Sequence, residues 1–148
     1  MIINKVNAIG TLSVVLKDSE GNMKEERQIN NLVVTSGLTY IASRMKDATA
    51  TAMGWMAIGT GTGAAAAGDT TLGTELDRNA VSSVTATGGA IAYVTTWAAG
   101  DGTGAVTEAG IFNASSSGDM LARTVFSVVN KDVNDTLSIT WTITLSAS

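Results

Sequence analysis

From Thr136 to Leu145 the chain reads T-L-S-I-T-W-T-I-T-L, with Leu137, Ile139, Trp141, Ile143 and Leu145 at alternate positions and a hydroxyl residue at every position between. Successive side chains of an extended strand point to opposite faces, so this pattern makes one dry face and one wet one. Ala8 to Lys17 repeats the alternation with Leu12, Val14 and Leu16, and the D-S-E-G-N that follows offers Gly21 and Asn22 for the positive φ of a hairpin turn. The return arm, Met23 to Ile29, is mostly charged. Residues 17 to 27 hold seven of the 22 charges in the chain, counted as nine basic plus thirteen acidic. A strand so charged is expected to be a solvated edge, leaving the hairpin near residues 8–29 free to project.

After the short apolar run Asn31 to Thr35 the period changes. Leu38, Ile41, Ala42 and Met45 recur at i, i+3, i+4 and i+7, which predicts one helix over about residues 37–45, capped by Ser36, with Arg44 and Lys46 suiting the negative pole of its dipole. D-A-T-A-T-A-M reads as a loop. Gly54 to Ile58 is a buried strand that opens onto G-T-G-T-G-A-A-A-A-G-D-T-T-L-G-T-E-L-D-R, where Asp69 is expected to cap a short helical turn through Leu72 to Leu76. Strands follow at Ala80 to Ala86 and Ala90 to Trp97 around Gly88-Gly89, then at Val106 to Asn113 and Met120 to Val129. Short strands at close intervals between turns predict a mainly β, antiparallel β-sandwich or jelly-roll-like barrel with one short α-helix, folded as a single domain over residues 1–148.

Composition removes most chemistry. The chain has no cysteine and no histidine, so disulfides, thiolate and imidazole metal sites and histidine-based triads are all excluded. Its net charge is −4 and its nine basic residues are scattered, which argues against a nucleic-acid partner. No segment approaches the apolar length of a membrane-spanning helix, and a soluble chain made in the cytoplasm is expected. Charged residues make up 15% of the chain while Ala, Gly, Ser and Thr abound. The surface is therefore built largely of small, weakly polar side chains of the kind that pack against other proteins. Proline is absent and sixteen glycines set the turns, so the loops lose more entropy on folding and assembly is expected to contribute to stability.

The Gly-rich run superficially resembles a phosphate cradle. Gly59, Gly61 and Ala64 fit G-x-G-x-x-A after a strand, yet Gly68 interrupts any following helix and the βαβ alternation is missing. Gly63 to Thr70 has P-loop spacing, but Asp69 stands where the phosphate-binding lysine belongs and would repel a phosphate. Thr62 to Gly68 is expected to be ordered only by contact with something else. Glu75, Asp77, Asp101, Glu108 and Asp119 lack any compact metal-ligand spacing and read as caps, turns and solvated groups, with Arg78 and Glu108 placed for a surface ion pair. Ser36 and Ser115 to Ser117 have no histidine to activate them. No cofactor is implied and the chain reads as no enzyme. Trp97 and Trp141 read as core, and Trp55, flanked by Met53 and Met56, as core or interface. The expected protein interface comprises Trp55, Met56, Thr60, Thr62, Arg44 and Arg78.

Four stretches together resemble a family of small structural proteins of tailed bacteriophages. They are N-L-V-V-T-S-G-L-T-Y-I-A-S-R-M, then M-A-I-G-T-G-T-G-A-A-A-A-G-D-T-T-L-G-T-E-L-D-R, then V-T-E-A-G-I-F-N-A-S-S-S-G-D-M-L-A-R-T-V-F, and the closing T-L-S-I-T-W-T-I-T-L. That family is met as head decoration (cement) proteins and, in related form, as tail fibre or baseplate components. The resemblance covers residues 31–145 and implies a virion protein, most of all a capsid decoration protein on the head surface. Its partners would be the major capsid protein and itself, as homodimer or homotrimer. The alternative it leaves open is a tail fibre or baseplate component, an adaptor or receptor-binding part, partnered by other tail proteins. The brevity of the chain, with no fibre shaft or coiled coil attached, favours the head. Gly59, Gly61, Asp69, Leu72, Glu75, Arg78, Glu108, Gly110, Leu121 and Arg123 match the family's signature positions and imply architecture rather than catalysis.

Overall fold

The computed structural model describes residues 5–147. Alternation becomes nine strands: β1 (Val6–Lys17), β2 (Met23–Val33), β3 (Trp55–Gly59), β4 (Glu75–Ala80), β5 (Ser83–Thr87), β6 (Ala90–Trp97), β7 (Gly104–Phe112), β8 (Met120–Lys131) and β9 (Thr136–Ala147). One helix, α1 (Thr35–Lys46), interrupts them. The strands form one antiparallel sheet in the order β4-β3-β7-β8-β2-β1-β9-β6-β5. It curls until its two halves face each other across a shared core. Leu12, Val14 and Leu16 of β1 and Leu137, Ile139, Trp141 and Ile143 of β9 meet Met56, Ile58, Ala109 and Ile111 from the other half. The mainly β architecture with a single short helix is thus present. Where the curl closes, Asn79 Nδ2 of β4 donates to the Thr96 carbonyl of β6 at 3.1 Å.

The hydroxyl-flanked strand β9 lies between β1 and β6 and pairs with both along most of its length, from Val6↔Ala147 to Lys17↔Thr136 on one side and from Ala90↔Thr144 to Trp97↔Leu137 on the other. The first hairpin is therefore tied into the sheet and does not project. Its charged arm is open on one side over most of its length, because β2 pairs with β8 through Leu32↔Arg123 and Val33↔Ala122 alone. Beyond those pairs, the Arg27 guanidinium bridges to the carbonyls of Ser127 and Val128, and Lys24 reaches Asp132 and Asp135.

Three local expectations need correction. The helix begins earlier, at Thr35, and its N-cap is Val34 with no side-chain bond; Ser36 instead donates its hydroxyl to the Met120 carbonyl of β8 at 2.9 Å. Tertiary anchoring has replaced capping. Residues 72–76 hold no helical turn, and Glu75–Ala80 forms β4 beside β3, an edge strand too polar to be recognised by alternation. The following strand accordingly starts at Ser83, after β4 has taken Ala80.

Burial of β7 runs unbroken from Val106 to Phe112. Ala109 and Ile111 enter the main core, while Phe112 joins Val34, Ala57, Leu72 and Met120 in a second cluster on the outer face, with Trp55 packed at its margin. A strand covered on both faces loses the alternation of a half-exposed one and reads as a continuous run. Its outer cover is the loop that carries Leu72.

Candidate functional site

That loop, residues 60–74, is the Gly-rich run singled out in the sequence, and a buried ionic cluster holds it in place. Glu108 lies on the outer face of β7 and is 0% exposed. One carboxylate oxygen, Oε1, accepts the N–H groups of Gly61 at 2.9 Å and Thr74 at 2.7 Å. Oε2 accepts the N–H of Gly73 at 2.8 Å and the Nη2 and Nε of Arg123 at 2.8 and 3.2 Å. Arg123, on the adjoining β8, spends the rest of its planar fork on the loop: Nη1 on Asp69 Oδ2 at 2.7 Å, Nη2 on the Gly63 carbonyl at 3.0 Å and Nη1 on the Ala64 carbonyl at 3.4 Å. Thr107 Oγ1 donates to the Gly61 carbonyl at 2.7 Å, and Thr35 N–H, at the start of α1, donates to the Ala67 carbonyl at 2.8 Å.

A buried charge is tolerable when its lone pairs and donors are all met, and here one carboxylate has five donors and one guanidinium has two carboxylates and two carbonyls. Burial pushes the Glu108 carboxyl upward, but bonds from the Thr74 N–H, Arg123 and the N–H groups of Gly73 and Gly61 outweigh it and hold it below the ordinary carboxylate range. Asp69 is likewise held low, first by the Ala66 N–H and then by Arg123, against burial. The Arg123 charge is opposed by burial but fixed more firmly by Glu108 and Asp69.

The G-T-G of residues 59–61 now has a steric reason. A Cβ on Gly61 would stand 2.5 Å from Glu108 Oε1, and one on Gly59 the same distance from it. No side chain fits where the backbone closes on the carboxylate. The expectation that Thr62 to Gly68 needs an outside contact to be ordered is therefore overturned, since Arg123 holds the Gly63 and Ala64 carbonyls and the Thr35 N–H holds that of Ala67. The expected surface pairing of Glu108 with Arg78 fails as well. Arg78 bonds Glu75, the Ala114 and Ser117 carbonyls, and lies 3.7 Å over the Phe112 ring.

The expected interface residues separate accordingly. Met56 is wholly buried in the main core and so presents no surface for contact. Arg78 is half-buried, its side chain 7% exposed, and its fork is taken largely by Glu75 and the Ala114 and Ser117 carbonyls with its plane over Phe112, which leaves little of it for a partner. Trp55 and Thr60 are half-buried and Thr62 is exposed on the loop. Arg44 is exposed but lies at the far end of α1, tied to the Ala48 and Ala50 carbonyls. The cluster of Asp69, Glu108 and Arg123 was reachable in sequence only as separate residues, since Glu108 is 39 positions from Asp69 and nothing in the spacing signals that they converge.

Outward, the loop shows Thr62, Gly63, Ala64, Ala66, Ala67 and Gly68, all exposed and none charged. A groove of about 390 Å³ adjoins it where β2 and β8 part, its lining including Asn30, Asn31, Thr62, Ala64 and Thr124 together with Arg123, whose charge is met by Glu108 and Asp69. The Asn31 amide makes no hydrogen bond to the described residues. Among the described residues no group of carboxylates is arranged to hold a metal ion. The arrangement offers a fixed, uncharged surface of small side chains rather than a converging set of reactive groups. No known protein family, curated protein or solved structure matches the chain.

Proposed function

We propose that this chain is a structural virion protein of a tailed bacteriophage: a decoration protein on the head surface that bridges neighbouring major capsid subunits and acts by adhesion rather than by turnover. The observation that carries the reading is the Glu108 and Arg123 cluster, which orders the 60–74 loop from beneath while leaving its outer surface small and uncharged. A loop fixed before contact loses little further entropy on binding, and a surface without charge or long side chains can approach a partner backbone closely. The resemblance of residues 31–145 to small phage structural proteins points the same way. Thr62 and the half-buried Trp55 lie within or beside this surface.

Addition of the purified protein to heads lacking it should raise their resistance to heat and osmotic shock. Ala67→Glu, at an exposed loop position, should abolish that gain while leaving the protein's own melting temperature within a degree or two, because surface substitutions of this kind are near neutral for folding. Heads equally robust with and without the protein would overturn the reading. A label on intact particles that decorates the tail would replace it with the tail fibre or baseplate assignment.

A further inference from the structure

The sheet's exposed edges are not guarded alike. At one end, β4 carries Glu75, Asp77 and Arg78, and the open arm of β2 carries Lys24, Glu25, Glu26 and Arg27. Charges on an edge strand discourage pairing with another chain. At the other end β5 reads S-V-T-A-T, with all five residues exposed, no charge, no proline and a neighbour on one side only. Val84 is 54% exposed there. Beside it lies a groove of about 520 Å³ whose walls include Tyr40, Ile41 and Met45 of α1 and Val84, Ala86 and Ile91 of β5 and β6, with Met45 83% exposed.

The direction of the free backbone groups follows from the register. Gly89 accepts the Leu145 N–H on the β9 side, and the Val94 carbonyl accepts the Ser82 N–H on the β5 side. Alternation then turns Ala90, Ala92 and Val94 toward β5, where they face Thr87, Thr85 and Ser83. The N–H and C=O groups left pointing to the open side are those of Val84 and Ala86, the two residues whose side chains line the groove.

We propose that β5 is a homodimerisation edge, at which two copies pair antiparallel about a two-fold axis through Thr85, making one continuous sheet across the molecules. The partner of such an edge must be an uncharged strand with small apolar residues at alternate positions, and β5 itself meets that description. About the Thr85 axis, Val84 falls opposite Ala86 of the partner subunit and exchanges backbone hydrogen bonds with it. The two Thr85 residues meet as a non-hydrogen-bonded pair with Cα atoms ~4.5 Å apart. Five residues of strand alone do not reach the ~800 Å² per partner of a stable interface, so the groove must contribute. The partner's copies of Val84 and Ala86 lie on the groove side of the shared sheet, against Ile41 and Met45. Pairing along β5 brings no like charges together even though each chain is −4 overall, and the charged residue of the groove wall, Arg44, is tied to the Ala48 and Ala50 carbonyls of its own chain. The inference concerns β5 alone and does not rest on the head-surface assignment.

The register makes the test specific. Light scattering should give twice the 15.1 kDa chain mass for the intact protein at micromolar concentration. The pair Val84→Lys with Ala86→Lys sets like charges directly opposite each other and should leave a monomer, with Kd weakened at least about tenfold. The pair Val84→Lys with Ala86→Glu sets opposite charges across the axis and should restore the dimer. Thr85→Cys, in a chain that otherwise has no cysteine, should oxidise to a disulfide-linked dimer far faster than Thr103→Cys, at an exposed position elsewhere. Thermal melts report folding of each variant, and the cysteine arm holds even if a double variant does not fold. A monomer at all concentrations, a trimer, equal oligomerisation of the two charge variants, or no preference for the Thr85 thiol would overturn the proposal.

Discussion

Glu108 shows how one residue can fix a stretch of chain 34 to 47 positions away in sequence. Its two oxygens receive five donors, so replacing it with Gln turns an amide NH₂ toward groups that also donate. Glu108→Gln is expected to cost ~3–5 kcal/mol in urea unfolding, as breaking a buried pair does. Arg123→Met should cost as much, since it strips the buried carboxylate of its cation and leaves the Gly63 and Ala64 carbonyls without a donor. A loss under about 1 kcal/mol for either would mean that the loop does not depend on the cluster. Lys131 is the opposite case. It is 1% exposed, donates to the Ala98 carbonyl at 2.9 Å and has no carboxylate at ion-pair distance among the described residues. Burial lowers its pKa, against the pull of Asp135, Asp101 and Asp77. Between the lowered folded value and the ordinary lysine value the unfolded chain holds the proton and the folded chain does not, so stability rises with pH across that window. Lys131→Met should remove this alkaline gain, so that the melting temperature no longer rises with pH between neutrality and the ordinary lysine range.

At the scale of elements, α1 owes its place to contact with β8 more than to its own ends. It has no side-chain cap, its one buried residue is Gly37, and Ser36 is bonded to the Met120 carbonyl. A Cβ at Gly37 would collide with the Leu121 carbonyl oxygen. In an exposed helix, Gly→Ala gains up to ~1 kcal/mol. Gly37→Ala should do the reverse, costing more than ~2 kcal/mol and exposing the helix to proteolysis, and a stabilised variant would show that the docking is looser than the contact implies. The i, i+3, i+4, i+7 pattern revealed the helix and located its body within two residues. It assigned Ser36 to capping because a hydroxyl at a helix start has that use in isolation, whereas the nearby β8 offered a different acceptor. The polar strand β4 was illegible for a related reason. It is held by its pairing with β3 and by Arg78 over Phe112, and neither leaves a hydrophobic period in E-L-D-R-N-A.

For the whole molecule, acid should be the sharpest probe. Glu108, Asp69 and Asp135 are all held below the ordinary carboxylate range. A depressed folded pKa contributes stability above the unfolded value and loses it as pH falls through the folded one. The melting temperature should therefore hold down to the ordinary carboxylate range and drop steeply below it. Asp69→Asn should flatten that drop and lower the plateau, and an unchanged acid limb would remove Asp69 from the account. The sequence by itself determined that this is a mainly β chain with one helix, which strand faces are dry, where the Gly88-Gly89 hairpin turns and that Trp97 and Trp141 are core, because periods of two and 3.6 are local properties of neighbouring residues. Only the tertiary structure decided that β9 lies between β1 and β6, that Met56 is withdrawn from the surface and Arg78 largely bonded within the chain, and that a glycine-rich loop is fixed by an ion pair from two strands far along the chain. Those outcomes depend on which distant segments the curled sheet brings together, and a buried charge has no sequence signature until its partners arrive.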